Sequence, residues 1–225
     1  MKLLQTFVLS TLVLASVSCQ SKTTTPKPEV KEQVEIKKLS LEELQEYETA
    51  YFASGCFWCV EAIYESVRGV KEAVSGYAGG EEENPTYEQV SYGRTSHTET
   101  VVVYYDPQEI SFMELVQVFF GSHDPTTLNQ QGPDRGTQYR SVAFYENDEE
   151  KKIIEAYMAA LEESKVYGRP IVTEVMPLTT FWKAEEYHQD YERKHPNDSY
   201  ITNVSIPRLN KFKKNFPGYL KKDAH

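Results

Sequence analysis

Cysteine is scarce in this chain: its 225 residues hold three, Cys19, Cys56 and Cys59. Cys19 falls in an N-terminal leader, so the folded part keeps one close pair. That excludes a disulfide scaffold and leaves a catalytic or metal-binding pair. Positive charge is also short. Lys and Arg number 24 against 34 Asp and Glu, and the net charge of −10 argues against a nucleic-acid backbone as partner. A phosphate-binding loop is missing too, because no Lys-Ser/Thr pair or helix pattern follows the glycines of Gly76-Tyr77-Ala78-Gly79-Gly80. Internal repeats are absent. Apolar and aromatic residues are plentiful, with 10 Phe, 16 Tyr and 2 Trp, and the length suits one globular domain plus extensions.

The extensions come first. Residues 1–18 carry Lys2, an apolar stretch from Leu3 to Val17 and small residues before Cys19. Gln5, Thr6, Ser10 and Thr11 interrupt the stretch, which is too short for a comfortable membrane span. It reads as an export signal. Ala15-Ser16-Val17-Ser18-Cys19 resembles a relaxed bacterial lipoprotein cleavage site, with Cys19 as the lipid-bearing residue and Ser where Leu is usual. The alternative is an ordinary cleaved signal with an incidental Cys. Either way the expected location is the bacterial cell envelope, periplasmic or membrane-anchored. Residues 19–47 are rich in Thr, Lys, Glu and Pro and read as a flexible tether, with a possible helical turn at Leu41-Glu42-Glu43-Leu44 after Ser40. The globular domain is expected over 48–225.

Within the domain, Ala50 to Ser54 reads as a buried strand, and Val60, Ile63, Tyr64 and Val67 recur at helical spacing. Cys56 therefore falls at a strand-to-helix junction, where Gly55 permits a sharp bend. Backbone N–H groups and the positive helix end are expected to favour its thiolate. A strand over 74–78 follows, then a turn at Asn84-Pro85-Thr86-Tyr87 and a short amphipathic segment to Tyr92. Thr98 to Tyr105 reads as a strand buried on both faces. Ser111 caps a helix over 112–120. Residues 123–140 form a polar loop without periodicity, a length that is commonly functional. A strand over 141–145, a helix over 148–165, a strand over 171–176 and a helix over 183–194 complete the pattern, followed by a basic tail without Cys. This loose alternation gives an α/β or α+β sandwich of unspecified strand order.

Cys56 and Cys59 lie three apart, about 5–6 Å between Cβ atoms in an ideal helix, whereas a disulfide wants about 3.5–4.5 Å. Closing the bond needs the first turn to unwind, and a bond so strained is easily reduced. The competing reading is half a zinc site or two buried thiols. Zinc takes about four ligands, there is no second Cys pair, and His97, His123, His188 and His195 are scattered. Redox or nucleophilic use ranks above metal. Phe57 and Trp58 would wall the thiol. Glu99 opens the buried strand and could stay protonated there, although spacing alone favours an edge-exposed carboxylate. Asp134 reads as a turn residue, and composition alone would not select Tyr87 or Tyr139 among the tyrosines.

The segments GCFWCVEA, GYAGG, NPTYEQV, HTETVVV, HDPTTLNQQGPDRGTQYRS and AEEYHQDY occur in this order. Together they closely resemble the peptide methionine sulfoxide reductase A family over roughly Ala50 to Leu209. The resemblance implies a two-layer α/β roll with a mixed sheet, and reduction of the S epimer of methionine sulfoxide, free or in proteins. It implies Cys56 as nucleophile, Phe57 and Trp58 as the methyl-binding wall, and Glu99 as the acid that protonates the sulfoxide oxygen. Tyr87 and Tyr139 would help hold that oxygen, with Asp134 supporting the site. Many members have Gly where Cys59 stands and keep resolving cysteines in the C-terminal tail. Here Cys59 is the only other thiol of the domain, so the expected cycle closes within Cys-x-x-Cys and is reopened by a thioredoxin-like donor. No cofactor, metal or nucleic acid is expected, and the protein should act as a monomer.

Two other classes fit parts of the chain. A thioredoxin-like disulfide exchanger would explain Cys-x-x-Cys at a helix start and Pro170 before Ile171-Val172, but gives the 123–140 loop no role. A surface lipoprotein that only binds partners would use the pair as a structural bridge.

Overall fold

The computed structural model describes residues 39–222. The leader, Cys19 and the tether up to Lys38 lie outside the described residues. In chain order the elements are α1 (Leu41–Leu44), β1 (Glu48–Ser54), α2 (Phe57–Glu65), β2 (Val70–Ala78), α3 (Tyr87–Ser91), β3 (Thr98–Tyr105) and α4 (Phe112–Gly121). There follow β4 (Gln130–Gln131), β5 (Asp134–Arg135), β6 (Ser141–Tyr145), α5 (Asp148–Ser164), β7 (Glu174–Pro177), β8 (Trp182–Lys183), α6 (Tyr191–Lys194) and α7 (Ile206–Asn215).

Six strands form one sheet in the order β7-β6-β1-β3-β2-β8. All neighbours are antiparallel except β6 and β7, so the sheet is mixed. The fold class expected from the sequence is the one observed. β3 lies between β1 and β2, which is why its Val101-Val102-Val103 run is buried on both faces. Along β1 the side chains alternate as the pleat requires. Phe52 enters the larger core, stacked on Tyr64 and on Phe119 with both centroids 5.2 Å away. Truncating an aromatic so packed costs about 3–5 kcal/mol. Tyr51 and Ala53 face the other side, with Phe144, Val142 and Ala78.

The helix starts follow from their caps. Ser111 and Glu114 exchange hydrogen bonds in a capping box at α4, and Thr86 and Gln89 do the same at α3. Asn147 caps α5, with three acidic residues in its first turn. Gly55, at φ +87°, makes the bend that turns β1 into α2.

One element differs from the sequence expectation. Residues 183–194 are not one helix. β8 pairs with Gly76 and Tyr77 of β2, Glu186–His188 make a single tight turn, and only Tyr191–Lys194 are α-helical. Gln189 explains the interruption. Its buried side chain accepts from Ser75 N and donates to the carbonyls of Ser75 and Ala184, each at 3.0 Å, so it takes the place of a strand neighbour. Asp190 follows in the left-handed region at φ 55°. Two further details were not anticipated. The 123–140 loop contains the β4–β5 hairpin, and the basic tail folds into α7 after a π-helical stretch at Ile201–Ser205.

Candidate active site

Cys56 occupies the N-cap of α2, directly after the Gly55 bend, and is 6% exposed. Its side chain makes no capping bond. The cap comes instead from β3: the Glu99 carboxylate accepts from Phe57 N at 3.0 Å. Glu99 is 2% exposed, and burial outweighs that bond to push its pKa from 4.5 up to about 8, with the charges of Asp134 and Cys59 adding to the rise. A neutral carboxylic acid therefore sits one residue from a thiol at neutral pH.

The expectation that the helix start favours a Cys56 thiolate is not met. Burial raises the Cys56 thiol well above its ordinary value, and Cys59 and Glu99 beside it raise it further. Cys59 moves the other way, down to about 7, because Cys56 hydrogen-bonds to it and the charge of Arg208 and the hydroxyls of Ser205 and Tyr200 favour the anion against burial. Of the two thiols, Cys59 is therefore the easier to ionise and Cys56 the harder.

An aromatic enclosure surrounds the thiols. Phe57 stacks on Tyr87 with centroids 6.3 Å apart and lies 5.0 Å from the His188 ring. Trp58 stacks flat on Tyr191 at 3.8 Å, meets Tyr200 edge-on at 6.0 Å and donates from Nε1 to His188 Nδ1 at 3.2 Å. That bond assigns the His188 ring proton to Nε2. Burial keeps the ring neutral by lowering its pKa to about 4. The rings make a largely apolar wall next to Cys56, broken by the His188 ring nitrogens and the Tyr200 hydroxyl.

The 123–140 loop folds over this site. Asp124 closes its first turn by accepting from Thr126 N and Oγ1 at 2.9 and 2.6 Å. Gln131 packs against the Gly55 backbone, where a Cβ would approach its own Cβ to 2.6 Å. Thr98 Oγ1 donates to Gln138 O at 2.8 Å, which ties the loop to β3 next to Glu99 and brings in Tyr139. Burial raises the Tyr139 hydroxyl pKa, and the charges of Glu99 and Cys56 act in the same direction. Asp134 accepts from Tyr200 Oη at 2.6 Å, and the same hydroxyl lies 3.9 Å from Cys59 Sγ.

All eight domain residues selected from the sequence, Cys56, Phe57, Trp58, Cys59, Tyr87, Glu99, Asp134 and Tyr139, meet at this site. Sequence reasoning missed His188, Tyr191, Tyr200 and Arg208. The first two lie in AEEYHQDY, a segment quoted for its resemblance but given no role. Tyr200 and Arg208 come from the tail, where nothing in the local pattern marks them. Arg208 reaches Ser122 O at 2.9 Å and Ser54 O at 2.9 Å, which ties α7 to the end of β1.

A sequence model described as peptide methionine sulfoxide reductase matches residues 48–219. The chain belongs to that family. A peptide methionine sulfoxide reductase MsrA of Rhodopirellula baltica is 50% identical over 174 residues, 77% of this chain and 90% of that one. Its counterpart in Polynucleobacter asymbioticus is 48% identical over 169 residues, 75% and 89% of the two chains. Among solved structures, reduced Mxr1 of Saccharomyces cerevisiae is 37% identical with a TM-score of 0.62, covering 67% of this chain and 87% of its own. Methionine sulfoxide reductase A of Corynebacterium diphtheriae is also 37% identical, with a TM-score of 0.60 and coverages of 67% and 76%. The reaction of this member is the reduction of methionine sulfoxide, and oxidised methionine is its substrate.

Proposed function

We propose that Cys56 is the nucleophile, Glu99 the acid and Cys59 the resolving thiol in reduction of the S epimer of methionine sulfoxide. The buried, protonated Glu99 at the start of α2 carries this reading. A sulfoxide oxygen leaves poorly until it receives a proton, so a neutral acid must face the attacking sulfur. In this reading the substrate methyl group lies against Phe57 and Trp58, and the oxygen lies between Glu99, Tyr87 and Tyr139. Cys56 passes its thiol proton to Cys59 and attacks the sulfoxide sulfur, Glu99 gives its proton to the oxygen, the S–O bond breaks as the hydroxyl passes to Cys56, and methionine departs, leaving Cys56 as sulfenic acid. Cys59 then attacks Cys56 Sγ, its thiol proton joins the departing hydroxyl as water, and the Cys56–Cys59 disulfide awaits a dithiol. Asp134 holds the Tyr200 hydroxyl beside Cys59.

The donor is proposed to be thioredoxin-like. The leader sequence, with Cys19 as lipid acceptor, supports a place in the bacterial envelope, where that donor would also have to reside. Reduction of a peptide carrying separated S and R sulfoxide epimers, with dithiothreitol, tests the assignment. Wild type should consume only the S epimer, Cys56→Ser neither, and Cys59→Ser one equivalent per enzyme before stalling with thioredoxin. Steady turnover by Cys59→Ser at the wild-type rate with thioredoxin would remove Cys59 from the cycle.

A further inference from the structure

Behind Cys59 lies a cavity of about 830 Å³. Its walls come from the 123–140 loop, from residues 166–169 after α5 and from the π-helix and α7. Cys59 lines it, with Asp134, Tyr200 and Arg208. Cys56, Phe57, Trp58, Tyr87, Glu99 and Tyr139 do not. Tyr200 is the partition: its ring meets Trp58 edge-on, and its hydroxyl faces Cys59 and Asp134. Of the two cysteines, Cys59 alone lines the cavity, while Cys56 lies at the N-cap of α2 beside the aromatic wall.

We propose that this cavity is the entry route of the reductant, and that the active-site thiolate of a thioredoxin-like donor enters it to attack Cys59 Sγ. The inference rests on the Cys56–Cys59 cycle set out above. Thiolate–disulfide exchange is an in-line displacement, so an attacker must approach from the side away from the departing sulfur. Cys59 lines the cavity and Cys56 does not, so an attacker arriving through the cavity meets Cys59 first. Attack on Cys56 would have to come from the aromatic side, where the proposed function places methionine sulfoxide. Of the charged groups lining the cavity, Asp124 pairs with Arg169 and Asp134 accepts from Tyr200, while the Arg208 guanidinium and the exposed Lys211 amine are there to attract an incoming anion.

The step balances. The donor sulfur bonds to Cys59 Sγ, the S–S bond breaks, and its electron pair leaves on Cys56 Sγ, which takes up a proton. The donor's second thiol, once deprotonated, then attacks the donor sulfur of the mixed disulfide and expels Cys59 as thiolate. The donor ends oxidised by two electrons. Cys59 suits that last departure, since its surroundings hold its thiol down to about 7.

Two measurements test the route. In the first, oxidised enzyme is mixed with a thioredoxin whose second active-site cysteine is replaced by serine, and the trapped mixed disulfide is mapped by peptide mass. Linkage to Cys59 is expected, and linkage to Cys56 overturns the proposal. In the second, the cavity is plugged by Gly168→Trp, where an added Cβ meets nothing within 4 Å, or by Asn203→Trp on the opposite wall. Both variants, pre-reduced, should release the first equivalent of methionine at the wild-type rate, which also shows that they fold. Thioredoxin should then reduce their disulfide about tenfold more slowly or worse. An unchanged rate of disulfide reduction overturns the proposal. So does a defect confined to KM for peptide substrates, which would make the cavity a subsite for residues flanking the sulfoxide. Thiol counting after one wild-type turnover separates the two layers. If the two thiols persist, the Cys56–Cys59 cycle itself fails, and the entry route falls with it.

Discussion

Glu99→Gln should make the protein more stable and less active, and the stability gain should grow with pH. Glu99 has an ordinary pKa of 4.5 and a folded value of about 8, set chiefly by burial. Between these values the folded protein holds a proton that the unfolded chain has released, so raising the pH destabilises the fold. Below pH about 4 both states are protonated and the group is neutral in its effect. Above pH about 8 the full penalty applies. The gap from 4.5 to about 8, at 1.36 kcal/mol per pH unit, bounds it at about 5 kcal/mol. Glutamine has no such titration, and its carbonyl can still accept from Phe57 N. Wild type should therefore lose about 4 kcal/mol relative to Glu99→Gln between pH 5 and pH 9. For a domain of this size that is a growth of about 10 °C in the Tm difference. Thermal unfolding followed by circular dichroism measures it, with both proteins carrying Cys56→Ser and Cys59→Ser so that no thiol titrates in the same window. A Tm difference that stays constant or shrinks from pH 5 to pH 9 would refute the reasoning, because Glu99 would then be ionised in the folded state at neutral pH. In the cysteine-intact background the same substitution should lower kcat by about 10²–10⁴. Wild-type single-turnover rates should themselves fall as pH rises through about 8.

Two further outcomes follow from the same geometry. Tyr200→Phe removes the hydroxyl that lies 3.9 Å from Cys59 and donates to Asp134. The Cys59 thiol should rise above its value of about 7, seen as a higher midpoint in the pH dependence of its alkylation; an unmoved midpoint would leave the other neighbours to stabilise the anion. Gly55→Ala places a Cβ 2.6 Å from that of Gln131 at φ +87° and should cost about 1–3 kcal/mol in urea unfolding. A loss under half of that would mean the loop yields without strain.

Much of this site could be read from the sequence because its parts are locally encoded. The apolar run before Gly55 and the helical spacing after it put Cys56 at a strand-to-helix bend, where the structure has it. Ser111 and the Val101–Val103 run gave the start of α4 and the central strand for the same reason, since a cap and a buried strand are properties of short windows. What escaped depends on distant partners. Residues 183–194 have a helix-like pattern, but Gln189 finds Ser75 of β2, 114 residues away in sequence, and that pairing overrides local propensity. Tyr200 and Arg208 gain their meaning only from Cys59, Asp134 and Ser54. The helix end alone points to a Cys56 thiolate, whereas the burial supplied by distant residues raises its thiol. Pattern gave the position of the chemistry; burial decided its charge.

The two ends of α2 are held by different means, and this divides the helix into a working end and a fixed one. At the far end residues 219–221 are stitched back onto the turn that follows the helix: Arg68 N donates to Tyr219 O at 2.7 Å, Lys221 N donates to Ser66 O at 2.9 Å, and Val67 bridges Leu220. At the near end Cys56 makes no cap of its own, and Phe57 N donates to the Glu99 side chain of β3. Forming and opening the Cys56–Cys59 bond can therefore distort the first turn while the last stays in register with the terminal segment. The redox cycle becomes a local deformation about one turn long, at the opposite end of α2 from the bonds on Ser66 and Arg68.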